Sequence, residues 1–449
     1  MNDTIVAIST ALGEGAISII RLSGDEAIEI ANRVFKGPNL NNIASHTISY
    51  GHIVDGKEDL DEVLVSVFKA PRTFTKEDVV EINCHGGVFV TNKILELLLY
   101  KGARLAEPGE FTKRAFLNGR IDLTQAEAVM DIIESQSISS LKLANMGLLG
   151  ETKKLVEDFR NRVLTCISHI EVNIDYPEYE DELQITNEIL TPIVQNLLVD
   201  LKHVLAKAEV SQILKSGIKT AIIGKPNVGK SSLLNALLRE ERAIVTNIAG
   251  TTRDIVEGSI NIGGIVLNLI DTAGIRNTDD VVEKIGVEKT KKVLQDASLI
   301  ILMFDYNTPL DDNDKKIIEL TKDKKRIIVI NKSDLEKSIN LNDFAEYLLI
   351  STFNKEDINK IETKIKDIYH LGDLNKIDAT YIGNARQIAK LRIAETYLQE
   401  ALSGINYGYP IDIVNIDLHN AWTTLGEILG EVSNEDLLNE LFSKFCLGK

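Results

Sequence analysis

The sequence predicts a multidomain α/β and α protein: an N-terminal α/β segment, a helical domain, and a P-loop domain with a mostly parallel sheet inserted into that helical domain. Three observations carry this prediction. Residues 224–231 read GKPNVGKS between an apolar run and a Leu- and Ala-rich stretch. Short β-like runs mix with helix-like ones over the first 120 residues. From Leu123 apolar residues take helical spacing, and that spacing returns after residue 372.

The N-terminal runs IVAIST, AISIIRL, EVLVSVF and VVEINCHGG read as strands and TNKILELLLY as a helix, which is α/β or α+β. Val156, Phe159, Val163, Ile167 and Ile170 recur at spacings of three and four, an amphipathic helix face. DYPEYEDE (Asp175 to Glu182) is an acidic, proline-marked connector, and a second helical pattern runs from about Glu188 to Val210. Beyond the P-loop segment, Ile388, Leu391, Ala394, Leu398 and Leu402 line one helix face, and Ile411, Val414, Leu418, Trp422, Leu425 and Leu429 another. Ser433 and Asp436 have capping-box spacing before LLNELF. The residues after 372 are few for a core of their own. The division predicted is therefore 1–120, an N-terminal domain; 121–215 with 373–449, one helical domain; and 216–372, an inserted domain. Insertion is physically easy because the termini of a domain often lie close together.

The inserted segment carries the most specific chemistry. IKTAII (Ile218 to Ile223) is a buried-strand pattern ending at a glycine, and Ser231 to Leu238 is helix-like. GxxxxGKS between strand and helix is a phosphate-binding loop. Gly224 and Gly229 let backbone N–H groups turn towards phosphates, and the helix N-terminus adds partial positive charge. Lys230 would reach the β and γ phosphates, and the Ser231 hydroxyl would bind magnesium. Asp271 follows the apolar strand IVLNLI, where an acid can hold the magnesium shell; Gly274 would offer its N–H to the γ-phosphate. NKSD follows RIIVI. Asp334 can accept two hydrogen bonds from the guanine edge, Lys332 lies along the base, and Asn331 braces the loop. Ser351, with Thr352 after YLLI, sits where a fifth guanine-contacting loop falls. SINI-GG-IVLN reads as a hairpin giving the parallel sheet an antiparallel edge.

The segment reads as a Ras-like GTPase domain. Its GTP-binding set is Asn227, Val228, Gly229, Lys230, Ser231 and Ser232 of the first string. The polar stretch contributes Thr246, Asn247, Ile248, Ala249, Gly250, Thr251 and Thr252. Asp271, Thr272, Ala273 and Gly274 follow, then Asn331, Lys332, Asp334 and Ser351. The residue after DTAG is Ile275, which cannot orient water as the glutamine of many small GTPases does. Hydrolysis must recruit another group or another subunit. Oxygens of Asn227 and of the Thr246–Thr252 stretch can hold a monovalent cation where an arginine finger would otherwise place positive charge.

Composition bounds the rest. No apolar stretch near about 18 residues is evident, so no membrane span is expected, and the start MNDTIVAIST lacks the basic-then-apolar order of a signal peptide. Three cysteines, Cys84, Cys166 and Cys446, make no disulfide framework, which fits a reducing cytoplasm. The net charge of −17 argues against a generally basic nucleic-acid binder.

The domain order, the GTPase strings and the ending FCLGK (Phe445 to Lys449) resemble the tRNA modification GTPase family MnmE, also called TrmE. RLSG (Arg21 to Gly24), EINCHGG (Glu81 to Gly87), EPGEFTKRAFLNGR (Glu107 to Arg120) and DLTQAEAV (Asp122 to Val129) are similar to that family's pattern. The resemblance covers the whole chain. It implies a homodimer built through an N-terminal domain like tetrahydrofolate-binding domains, with 5-formyltetrahydrofolate or a related tetrahydrofolate held by Arg21, Glu81, Arg120 and Lys449. It implies a flavoprotein partner, MnmG, in a heterotetramer or larger complex, and modification of C5 of the tRNA wobble uridine to aminomethyl or carboxymethylaminomethyl forms. It implies potassium at Asn227, Thr246, the Ile248 carbonyl and Thr251, magnesium at Ser231 and Thr252, Glu283 orienting the water, and Arg276 as the arginine after DTAG. Cys446, between Phe445 and Leu447, is a candidate nucleophile or proton donor near the folate.

Two other readings compete. A ribosome-assembly GTPase acting as an RNA-binding switch would need a basic RNA-binding module, and no GXXG with a basic surround is found. A fragment of a GTP-linked metal transporter is set aside for want of membrane spans.

Overall fold

A computed structural model describes residues 3–175, 182–240, 256–270, 293–371, 382–431 and 435–449. Two compact units emerge. The first comprises residues 1–130, 153–160 and 423–449, the second 131–152 and 161–422.

The first unit is built on a seven-stranded sheet: β1 (Ile5–Ile8), β2 (Gly15–Ser23), β3 (Phe35–Lys36), β4 (Thr47–Asp55), β5 (Glu58–Phe68), β6 (Val79–Gly86) and β7 (Arg104–Leu105), in the order β3-β4-β5-β6-β2-β1-β7. All neighbours are antiparallel except β1 and β7. Alternation decides its two faces. Ile20, Leu22, Val63, Val65, Val67, Val80 and Ile82 point into a core that helices Ala27–Val34 and Val88–Tyr100 cover with Ile28, Ile30, Ile94 and Leu98. Residues at the intervening positions, Arg21 and Glu81 among them, lie on the other face, and the two are direct cross-strand partners. A second core joins Ala115, Leu123, Ala126, Phe442 and Phe445. Arg114 is buried beneath it in ion pairs with Asp3, Glu77 and Glu110. Those carboxylates offset the desolvation that a buried guanidinium incurs.

The second unit holds a six-stranded sheet: β8 (Ile218–Gly224), β9 (Val256–Ile262), β10 (Ile265–Ile270), β11 (Leu299–Asp305), β12 (Arg326–Asn331) and β13 (Leu348–Leu349), ordered β13-β12-β11-β8-β10-β9. Only β9 runs antiparallel, joined to β10 through Gly263 and Gly264, as the hairpin pattern predicts. β11 shows why the parallel strands read as continuous apolar runs. Leu299, Ile301 and Met303 join one core with helices Lys230–Glu240 and Lys355–Ile368, while Ile300, Leu302 and Phe304 join another with Ile339 and Phe344. Strand order reverses on either side of β8, and open α/β sheets bind ligands at the C-terminal ends of the strands at such a reversal.

The helical patterns are present, with local differences. Val156, Phe159, Val163, Ile167 and Ile170 are buried along helix Glu151–Asp175. On helices Ala385–Tyr407 and Ile411–Leu429, Leu402, Ile411 and Trp422 are only half-buried. Ala401, Ile405, Ala421 and Ile428 fill the buried stripes beside the predicted positions. Ser433 and most of the acidic connector lie outside the described residues. The expectation of no apolar stretch needs correction. Within helix Glu182–Ser216, the segment Glu188–Ser216 is long and apolar enough for a membrane span, at mean hydropathy 1.2. Its Leu190, Val194, Leu197, Leu201 and Leu205 form a buried stripe, and the helix packs on Ala385–Tyr407, so the apolarity serves a helix–helix core.

Candidate functional site: a P-loop pocket and an arginine-lined cleft

In the second unit the P-loop connects β8 to helix Lys230–Glu240. Asn227 takes a left-handed φ of 62°, which asparagine tolerates better than most residues. Gly229 cannot be replaced without a clash, because a Cβ there would lie 2.1 Å from Asn331 Nδ2. The Lys230 ammonium donates to the carbonyls of Gly224 and Lys225, each at 2.7 Å. Burial pulls its pKa below the usual lysine value. These are partial charges, which an anionic phosphate would displace readily. Ser231 and Ser232 open the helix at exposed positions, and Val228 is buried.

The NKSD string follows β12 and meets the P-loop through Asn331. That side chain is 1% exposed. Its Nδ2 donates to Val228 O at 2.9 Å and its Oδ1 accepts the Thr352 N–H at 3.2 Å. Lys332 has a φ of 65° and its ammonium is ion-paired with Asp305 at the end of β11. Asp334 accepts the Ser351 hydroxyl at 2.7 Å, and the Ser351 N–H donates to Asp357 at 2.9 Å. Asn227 to Ser232 and the Asn331–Asp334 and Ser351 loops thus meet at one sheet edge. Thr246 to Thr252, Asp271 to Gly274, Ile275, Arg276 and Glu283 lie outside the described residues. Sequence reasoning missed Asp305, whose position directly opposite Asn331 depends on strand register.

The first unit contains a cleft of about 560 Å³ whose lining includes Arg21, Glu81, Arg120 and Lys449 together. Arg21 is held by Glu81 through two contacts to Oε1, at 2.7 and 2.8 Å, and lies 5.7 Å from the Phe111 ring centroid. Arg120 lies over Phe74 at 4.8 Å, a cation–π contact. Arg72 and Lys76 add further cations to the wall. The charged lining is the Glu81 carboxylate, an acceptor, with the cations Arg21, Arg72, Lys76, Arg120 and Lys449, which suits an anionic ligand that also presents an N–H edge.

Residues 445–449 fold back onto this sheet. Gly448 O accepts from Ser9 Oγ at 3.2 Å and from Arg21 at 3.3 Å. Gly448 has a φ of 84°, and an added Cβ would sit 2.4 Å from Ile8 O. Gly448→Ala is expected to cost roughly 1–3 kcal/mol, lowering the melting temperature by about 2–12 °C. An unchanged melt would show that this segment contributes nothing to the unit. Burial pushes the Cys166 thiol up to about 11 and also raises Cys84. Cys446, by contrast, is exposed.

Residues 4–120 match the model of the GTP-binding protein TrmE N-terminus, and residues 123–446 that of the MnmE helical domain. The chain is 53% identical to the tRNA modification GTPase MnmE of Streptococcus thermophilus, covering 100% of this chain and 98% of that protein. It is 52% identical to the MnmE of Lactococcus lactis subsp. lactis, with the same coverage of both chains. Among solved structures it is similar to the G domain of the T. maritima FeoB iron transporter, at 24% identity and TM-score 0.26, over 34% of this chain and 98% of that one. With two family models and full-length relatives in agreement, the chain belongs to the MnmE family of tRNA modification GTPases.

Proposed function

We propose that this protein is a cytoplasmic, homodimeric, potassium-dependent GTPase that acts on tRNA with a flavoprotein partner, MnmG, in a heterotetramer or larger complex. In this reading it modifies C5 of the wobble uridine to aminomethyl or carboxymethylaminomethyl forms, using a folate one-carbon unit. The observation that carries the folate part is the cleft where Arg21, Glu81, Arg120 and Lys449, far apart in sequence, line one wall system. The Glu81 carboxylate matches the donor edge of a 2-amino-4-oxo ring, and the surrounding cations match a glutamate tail. A bound tetrahydrofolate would supply the one-carbon unit, and Cys446 is the exposed thiol among the described cysteines. The domain division 1–120, 121–215 with 373–449, and 216–372 belongs to the same proposal. Asn227, with Thr246, Ile248 and Thr251, would hold potassium, and Ser231 with Thr252 magnesium; Glu283 would orient water and Arg276 would assist.

The test uses Glu81→Gln in a deletion strain. Nucleoside analysis of its tRNA should show the wobble modification lost, while the purified variant keeps GTP hydrolysis that is faster in potassium than in sodium. Normal modification by Glu81→Gln would overturn the folate reading, and equal rates in the two salts the potassium reading.

A further inference from the structure

Lys225 follows Gly224 in GKPNVGKS. Its backbone carbonyl is one of the two that hold the Lys230 ammonium. Its side chain runs to helix Asp312–Leu320, with Nζ 2.8 Å from Asp311 Oδ2 and 2.6 Å from Asp314 Oδ2. Those two acids are also the helix's capping box. Asp311 Oδ1 accepts the Asp314 N–H at 3.0 Å, and Asp314 Oδ2 accepts the Asp311 N–H at 3.1 Å. Asp314 is 5% exposed.

An exposed lysine–carboxylate pair contributes only about 0–1 kcal/mol. Here one acid is buried, both acids are fixed by backbone N–H groups, and the lysine belongs to the phosphate-binding loop itself. The two carboxylates are therefore already in place, and only the Lys225 side chain has to be ordered when the bridge forms. The Lys225 bond, and then the Asp314 N–H, hold the Asp311 carboxyl down at about 2. The bridge therefore stays ionised at neutral pH. The far end of the loop is tied separately, by Asn331 Nδ2 to Val228 O.

We propose that Lys225 is a positioning residue for the nucleotide. By bridging Asp311 and Asp314, it holds the P-loop backbone in the shape whose N–H groups and Lys230 receive the phosphates. The affinity a nucleotide shows is the intrinsic affinity scaled by the fraction of loop already in that shape. Cutting the bridge lowers the fraction. Once the phosphates are bound, their own contacts restore the loop, so turnover at saturation suffers far less than affinity.

The experiment compares full-length variants by titration with a fluorescent GDP analogue and by steady-state GTP hydrolysis. Lys225→Met, which keeps the stem and removes the charge, should weaken binding roughly tenfold and raise KM in parallel. Lys225→Arg should restore most of the affinity, since a guanidinium can bond both carboxylates. Adding Asp314→Asn to Lys225→Met should cost no further affinity, because the pair acts as one unit. The double variant Asp311→Asn with Asp314→Asn should show the same loss with Lys225 intact, and it carries the test if Lys225→Met does not fold. Wild-type affinity in both Lys225→Met and the double acid variant would overturn the proposal. So would a loss that Lys225→Arg fails to restore, or one that falls on kcat while KM stays put.

Discussion

Replacing Lys230 with Met is expected to cut GTP hydrolysis roughly 10²–10³-fold at saturating GTP, the scale of removing one preorganised charge donor. The side chain is half-buried at the C-terminal end of β8, and its ammonium rests against two loop carbonyls. Burial already disfavours the cation there. It is therefore poised to gain when anionic oxygens replace those carbonyls. Developing charge on the transferring phosphoryl group strengthens that gain in the transition state. Lys230→Arg should not rescue the rate, because a planar fork does not fill the space of a compact ammonium. Single-turnover kinetics at saturating GTP measure the effect, and a loss smaller than about tenfold would contradict the role.

Asp334→Asn should weaken guanine nucleotide binding by about three orders of magnitude. The loss arises because the amide presents a donor to the donor edge of guanine, so donor faces donor where an acceptor is needed. Xanthine nucleotides, with an acceptor at that edge, should then bind better than guanine ones. The Asp334 carboxylate accepts the Ser351 hydroxyl, which orients the acid proposed to read the base. Competition titrations with GDP, XDP and ADP decide it. A variant that still prefers GDP would remove Asp334 from base recognition.

Local chemistry made much of this legible in the sequence. A strand, a glycine loop and a helix are contiguous, so GKPNVGKS announces itself. Gly263-Gly264 likewise announces a hairpin, because the turn chemistry is local. The buried stripe of helix Glu151–Asp175 follows from its period. The remainder depends on where distant segments meet. Nothing local links Lys225 to Asp311 and Asp314, or Asp305 to Lys332; strand order and register bring them together. The cleft was reached through resemblance, since Arg21, Glu81, Arg120 and Lys449 share no pattern a period or spacing could expose. Periodicity also misjudged Leu402, Ile411 and Trp422, because it finds the apolar side of a helix but not the width of the neighbour that covers it.

Asn331 has one further consequence. A single buried amide touches the phosphate loop with its nitrogen and the Thr352 backbone with its oxygen. The phosphate loop and the Thr352 loop therefore share one tie. A nucleotide that shifts the Thr352 backbone would load the same amide that holds Val228 O. If that amide couples the two loops, a γ-phosphate and a guanine base must raise each other's affinity by one and the same factor. On that footing the difference between GDP and GTP would be read at the end of the pocket furthest from the bond that is broken.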